Sequence, residues 1–168
     1  MIGFGVTGFT GKEMRDDTQA NGAGGVWDLR VTLGSHTPIA LDINYFGTST
    51  NTKQLFAGQD ATIIGSSIEG ALRYNVLPHA TWNPYAFAGV GWQRYDLTGG
   101  TFDVMNTSNN SLEFPLGGGI EYRDPDGFVL DVRGTFRSSA DGALLRETNG
   151  TAATMDTWEA SASIGYEL

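Results

Sequence analysis

The stretch with the most obvious chemical promise is "GFGVTGFTG", where Gly3, Gly5 and Gly8 carry the G-x-G-x-x-G spacing of a dinucleotide-binding turn. That turn cradles a pyrophosphate only when a strand leads in, a helix follows with its amides facing the anion, and an acidic residue stands roughly 20 positions on. Only Met1 and Ile2 precede these glycines, and "GKEMRDDTQANGAGG" after them has no apolar face at helical spacing. Ile2, Phe4 and Val6 alternate instead with Gly3, Gly5 and Thr7, which is the period of a strand. A nucleophile and base are equally hard to assemble. His36 and His79 are the two histidines; both fall in short predicted turns, and no strand face at the other end supplies a Ser-His pair. Cysteine is absent, which removes thiolate chemistry, disulfides and Cys/His metal clusters. Asp16 with Asp17, or Asp103, could offer oxygens to calcium, but solvated loop charge accounts for them more simply. No catalytic, cofactor-binding or metal residue is assigned, and no cofactor is expected.

The charges that do group lie on strands. In "VWDLRVTLG" Trp27, Leu29, Val31 and Leu33 share one face, and Asp28, Arg30 and Thr32 the other. "IALDINYFG" sets Ile39, Leu41, Ile43 and Tyr45 against Ala40, Asp42, Asn44 and Phe46. From Ile64 to Val76, Ile68, Leu72, Tyr74 and Val76 oppose Ser67, Glu69, Arg73 and Asn75. "SLEFPLGGGIEY" places Leu112, Phe114, Leu116, Ile120 and Tyr122 together; "FVLDVRGTFR" does so with Phe128, Leu130, Val132 and Phe136. "TWEASASIGYEL" aligns Trp158, Ala160, Ala162, Ile164, Tyr166 and Leu168. Residues 2 to 9 and "PYAFAGVGWQRYDL" bring the total to eight predicted strands. In the latter, either Ala86, Ala88, Val90 and Trp92 or Tyr85, Phe87 and Tyr95 form the apolar face; the first is preferred, with Arg94 and Asp96 beyond the hydrocarbon, and a bulge near the glycines would reverse it. Short connections (Gly34 to Pro38, Pro78 to Pro84, Arg123 to Gly127) alternate with long polar ones near 11–24, 47–61, 98–110 and 139–155. That alternation is what an up-and-down transmembrane barrel requires.

Alternation alone fits a soluble barrel or an inside-out one in lipid, and the charges discriminate. On seven of the eight strands the apolar face carries no ionisable group except tyrosine, while the other holds Asp28, Arg30, Asp42, Glu69, Arg73, Glu113, Glu121, Asp131, Arg133, Arg137, Glu159 and Glu167. An arginine facing lipid at the midplane costs about 2–4 kcal/mol, so a face this clean implies hydrocarbon outside. Lysine appears only as Lys12 and Lys53, both in predicted loops, where a soluble β protein would spread it over exposed strands. The polar face is small, with Gly3, Gly5, Gly117, Gly119, Ser161, Ser163 and Gly165, as the narrow interior of an eight-stranded barrel demands. Outer aromatics gather toward strand ends at Trp27, Tyr45, Tyr74, Tyr122, Phe128, Phe136, Trp158 and Tyr166, the pattern of interfacial girdles. At 168 residues the chain reads as a single domain. A net charge of -9 argues against nucleic acid or an anionic surface as partner. Met1 directly before a strand fits a mature sequence behind an added start codon, with any export signal removed.

"PYAFAGVGWQRYD" resembles the "Y-x-x-x-G-V-G-Y" strand of the small eight-stranded outer-membrane proteins, the outer membrane protein X/Ail group and the transmembrane domain of outer membrane protein A. "PLGGGIEY", "FVLDVRGTFR" and "TWEASASIGYEL" are similar too, so the resemblance covers roughly residues 62 to 168. It implies a bacterial outer-membrane location, insertion by the barrel-assembly machinery, no cofactor, and a structural, adhesive or surface-interaction role. The family's C-terminal signal ends in phenylalanine or tryptophan; this chain keeps Tyr166 but ends in Leu168.

The expected fold is therefore all-β, an eight-stranded antiparallel up-and-down transmembrane β-barrel, non-enzymatic and monomeric or weakly associating. Inside it, Arg30, Arg73, Arg133 and Arg137 are expected to pair with neighbours among Asp28, Asp42, Glu69, Glu121 and Asp131 as a polar plug, since buried charge must be paired or hydrated. Trp27, Tyr45, Tyr74, Tyr122, Trp158 and Tyr166 are expected at the lipid interfaces. The alternative function is a narrow channel or a carrier for small or hydrophobic solutes. A soluble lipocalin-like carrier would need a charged outer face and flanking helices, and shows neither. "NTSNNS" and "NGTAAT" read as mobile tips, and which loop meets a partner outside the cell is not written in the sequence.

Overall fold

The period-two stretches become strands in the computed structural model, which describes residues 1–10, 23–53, 60–98, 109–139 and 156–167. In chain order these are β1 (Ile2–Phe9), β2 (Ala23–Leu33), β3 (Ile39–Lys53), β4 (Asp60–Asn75), β5 (Trp82–Thr98), β6 (Asn109–Arg123), β7 (Phe128–Ser139) and β8 (Thr157–Tyr166). Each pairs antiparallel with its sequence neighbours, and β8 returns to β1 with Ile2 opposite Ile164, so the sheet closes into a barrel. Closure satisfies the backbone without an edge, as a strand structure in hydrocarbon must. The glycines of the apparent phosphate fingerprint lie in β1, where a Cβ on Gly3 would collide with the inward Asp28 carboxylate.

Three tight turns close one end of the cylinder. Gly34 follows β2 with φ of 83°, and Gly127 precedes β7 with φ of 88°, left-handed conformations that glycine adopts without a Cβ clash. In the turn between β6 and β7 Gly127 N donates to Asp124 O at 2.9 Å and Asp124 N to Phe128 O at 2.8 Å.

Strand parity sorts the side chains without exception on β7, whose burial alternates from Phe128 to Arg137. Outward residues such as Phe4, Leu29, Val31, Leu72, Leu116 and Val132 are exposed, while Asp28, Arg30, Asp42, Glu69, Arg73 and Asp131 are buried. On β5, Ala86, Ala88, Val90 and Trp92 face out and Tyr85 and Phe87 face in, the preferred alternative. No bulge intervenes: Ala88 opposes Leu116 and Gly91 opposes Glu113, the same register on both sides of a short break in the ladder. The break falls where Pro115 has no N–H to donate.

The strands outrun the predicted ones at the end away from the tight turns. β3 continues to Lys53 and β4 starts at Asp60, paired through Lys53 opposite Asp60, so most of 47–61 is ladder and Lys53 is a strand residue. Asn109, Asn110 and Ser111 of "NTSNNS" belong to β6. β5 begins at Trp82, two residues before the expected start at Pro84, which shortens the turn between β4 and β5 and adds an aromatic to the outer face. Apolar periodicity ends where hydrocarbon ends, but backbone pairing continues past it; the sequence pattern marks the belt and underestimates the ladder. Asp16, Asp17, Asp103, Lys12, "NGTAAT" and Leu168 lie outside the described residues.

The belt has the height of a membrane. Trp82 and Trp92 are ten residues apart on the outer face of β5, about 33 Å along a strand and about 25 Å along the axis at a tilt of roughly 40°.

Candidate functional site

Only one region of the described residues concentrates ionisable groups, and it is the lumen. The inward faces bury Asp28, Asp42, Glu69, Glu113, Glu121, Asp131 and Glu159 with Arg30, Arg73, Arg123, Arg133 and Arg137. Period two puts them there, and the small residues beside them leave the volume: a Cβ on Gly117 would sit 2.6 Å from Phe87 Cζ, and one on Gly119 2.6 Å from Tyr85 Oη.

β7 supplies the spine. Its Asp131 is ion-paired with Arg30 of β2 and accepts from Tyr85 Oη at 2.7 Å. Its Arg133 reaches Asp42 Oδ2 of β3 at 3.2 Å, and Thr32 Oγ1 donates to the other oxygen of Asp42 at 2.8 Å. Its Arg137 donates Nε to Glu69 Oε1 at 2.6 Å and Nη1 to Glu159 Oε2 at 2.7 Å. On β6, Glu121 receives Arg123 Nε at 2.7 Å and lies 3.0 Å from Arg73 Nη2. That last contact is charge attraction without hydrogen-bond alignment, since Arg73 Nη1 and Nη2 have no hydrogen-bond partner; Arg73 Nε donates to Asn75 Oδ1 at 2.7 Å. Asp28 is inside as well, with Oδ1 unpartnered beside Gly3.

The guanidiniums also stack. Arg73 lies 3.6 Å over the Tyr85 ring, Arg133 3.4 Å over Phe87 and Arg137 4.1 Å over Phe46. A desolvated cation over an aromatic face gains about 2 kcal/mol, so the three rings offset part of the cost of burying charge. Alternation places Phe46 inward, and Tyr85 and Phe87 inward only by preference between two possible facings; the role of all three as stacking platforms needs the opposite wall. Arg123 has the parity of Glu121 two residues earlier, which is the signal that places it in the lumen, although the sequence also marks it as a turn residue.

At the tight-turn end the lumen widens into a cavity of about 460 Å³ lined by Arg30, Thr32, Ser35, Glu121, Arg123 and Glu167 among others. Arg123 Nη1 donates to Pro78 O at 2.6 Å and Nη2 to Ser35 O at 2.7 Å, tying two turns to the network. His36 and His79 stack with ring centroids 6.1 Å apart, and His36 Nε2 lies 3.1 Å from Glu167 Oε2. The histidines thus brace turns at the rim. Outside, Trp27 meets Tyr45 edge-on at 5.6 Å, Tyr74, Trp158 and Tyr166 are exposed, and Tyr122 is half-buried because Trp82 covers it at 4.9 Å.

The closed cylinder of eight antiparallel strands has solved counterparts. Neisserial surface protein A superposes with a TM-score of 0.65, covering 99% of this chain and 94% of its own at 12% identity. The fold is that of the small outer-membrane β-barrels. The attachment invasion locus protein Ail of Yersinia pestis, solved with the heparin analogue sucrose octasulfate, gives a TM-score of 0.51 over 97% of this chain and 95% of its own, also at 12% identity. At such identities the likeness carries architecture and no residue's role. No family model matches the sequence, and no curated protein does.

Proposed function

We propose that this chain is an integral protein of the bacterial outer membrane, a single-domain monomer with a structural or surface-interaction role, no catalytic activity and no cofactor. The observation that carries this reading is the reversal of solvent preference: ion pairs fill the inside, and Leu29, Leu41, Leu72, Val132 and their neighbours lie exposed outside. Exposed apolar surface on this scale is stable only against hydrocarbon. The tight turns then face the periplasm and the longer connections the cell exterior. Trp27, Tyr45, Tyr74, Tyr122, Trp158 and Tyr166 lie at the lipid interfaces, and exposed Trp82 and Trp92 join them in this reading. The nine lumen residues Asp28, Arg30, Asp42, Glu69, Arg73, Glu121, Asp131, Arg133 and Arg137 act together as a plug. Ion pairs joining β7 to β2, β3 and β4 support that role over a channel.

The partners are the bilayer and, by resemblance, the barrel-insertion machinery. Surface interaction is favoured by the long polar connections and by the neighbours' names as surface and attachment proteins. Ail's polyanionic ligand does not carry over readily, because a net charge of -9 repels sulfated sugars. The test has two parts. Expression should leave the protein in the outer-membrane fraction, and the purified barrel in planar bilayers should conduct no steady current. Recovery as a folded, monodisperse protein without detergent overturns the membrane reading; a large steady conductance overturns the plug and favours the channel alternative.

A further inference from the structure

The outer wall is not uniform. Between β6 and β7 a cleft of about 310 Å³ is lined by Trp82, Ile120, Tyr122, Leu130 and Val132, with Asp131 contributing only backbone because its carboxylate is turned into the lumen. It starts at the Trp82–Tyr122 pair, whose rings lie 4.9 Å apart at the tight-turn end of the belt. Following β6 from Tyr122 through Ile120 leads to Gly118, and following β7 from Leu130 through Val132 leads to Gly134, which opposes Gly118 in the ladder. These two glycines lie just past the residues that line the cleft, and a Cβ on Gly134 would meet no atom closer than 4.0 Å, so the outer face is open at the cleft's inner end. Tyr122 to Gly118 is four residues, about 13 Å along the strand and about 10 Å of depth once tilted, less than half the apolar belt. Whatever lies in it enters from one leaflet.

The turn beside the mouth carries two carboxylates. The turn joining the two strands is Asp124-Pro125-Asp126-Gly127, with Asp126 exposed and Asp124 partly so. A cleft that is apolar along its length, continuous with the lipid-facing belt, and carboxylate-bearing at the interface is complementary to an acyl chain beneath a zwitterionic headgroup whose outer end is an ammonium. We infer that the β6–β7 cleft is a binding site for one chain of a phospholipid with a primary ammonium headgroup, drawn from the leaflet on the tight-turn side. The chain lies along Ile120 and Val132 toward Gly134, the aromatic pair packs at the level of the glycerol, and the ammonium faces the Asp124–Asp126 turn.

The inference rests on the membrane reading above, and the experiment separates the two. The barrel is refolded into vesicles of phosphatidylethanolamine and phosphatidylglycerol at about 3:1, with insertion scored by the heat-dependent shift of the folded band on a gel. It is then transferred to mild detergent and weighed by native mass spectrometry. Failure of the wild type to insert defeats the membrane reading and the lipid site with it. With insertion intact, the wild type is expected to retain one phosphatidylethanolamine. Gly134→Leu, which puts a branched side chain across the cleft's open inner end, is expected to lower the retained fraction at least fivefold. Gly70→Leu is the control: Gly70 is exposed on β4, away from the cleft, and a Cβ there meets nothing within 4 Å; it should retain lipid like the wild type. Asp124→Asn with Asp126→Asn should keep a lipid but lose the preference for phosphatidylethanolamine. An inserted wild type that carries no phospholipid, prefers phosphatidylglycerol, or appears as two copies without lipid overturns the site, as does full retention by Gly134→Leu.

Discussion

Replacing Arg137 with methionine asks the most of the lumen. Arg137 is 3% exposed, bonds Glu69 at 2.6 Å and Glu159 at 2.7 Å, and covers the Phe46 ring at 4.1 Å. Methionine keeps an unbranched stem on Phe46 but strands two carboxylates that are 2% and 4% exposed. Glu113, also buried, lies within electrostatic reach of the same cation. Removing one member of a buried ion pair costs about 3–5 kcal/mol because the partner's charge stays behind. One cation serves at least two anions here, so Arg137→Met should lose about 5 kcal/mol, more than the ~1.5–3 kcal/mol of a single charged hydrogen bond. The assay is equilibrium urea unfolding of the vesicle-inserted barrel, followed by tryptophan fluorescence. A companion variant, Arg137→Met with Glu69→Gln and Glu159→Gln, removes the stranded charges and should recover most of the loss, to within ~1–2 kcal/mol of the wild type, since a buried pair replaced by neutral groups is often close to even. A loss under ~1 kcal/mol for the single variant, or a triple variant no better than the single, would refute the reasoning: the carboxylates would then be hydrated and the lumen open to water.

Five further variants, in three comparisons, test other parts of the barrel by the same unfolding assay. Val132→Arg, in the middle of the belt on β7, should cost about 2–4 kcal/mol, and Phe128→Arg, at the interface on the same strand, about 0–1 kcal/mol; equal costs would mean the exterior does not face hydrocarbon. Gly117→Ala should destabilise by about 1–3 kcal/mol because its Cβ meets the Phe87 ring and the Gly134 carbonyl, while Gly134→Ala on the open outer face should change stability by less than ~0.5 kcal/mol. Tyr85→Phe keeps the ring under Arg73 but removes the 2.7 Å bond to Asp131, and should cost about 1–3 kcal/mol; a neutral result would show that Asp131 is satisfied by Arg30 alone.

Facing was legible because lipid is an exacting solvent. A single charged residue on the outer face of β2, β3 or β7 would cost a large share of a protein's stability, so those faces stay clean; glycine-rich β5 offers apolar side chains on both faces, and there parity leaves only a preference, which the structure meets with Tyr85 and Phe87 inward and the alanines outward. Inward aromatics look anomalous on a polar face until Arg73 and Arg133 are found lying on them. Strand ends were less legible. Thr50, Asn51 and Thr52 carry no apolar signal, yet they stay in the ladder opposite Ile63, Thr62 and Ala61, because hydrogen bonding between backbones does not depend on which solvent the side chains meet. Trp82 was hidden between Pro78 and Pro84, residues that normally mark a turn; Pro84 is tolerated in β5 despite lacking an N–H.

Which carboxylate meets which arginine across the lumen was not legible, and the ladder explains why. Asp131 stands directly opposite Glu121 on β6, a like-charge neighbour pair that would weaken an open sheet. Its other ladder neighbour is Ser163 of β8, which brings no positive charge. The cation that Asp131 needs comes instead from Arg30 on β2, 101 residues away, while Arg73 and Arg123 take Glu121. Such partners meet only once the sheet has closed and its stagger has fixed which residues share a level. Unrolled, the same strands would juxtapose two carboxylates on one face. Closure turns that repulsion into two satisfied sites, so the lumen charges favour the closed barrel over any open sheet of the same register, and the ion pairs that block the interior are also what make the cylinder the preferred form.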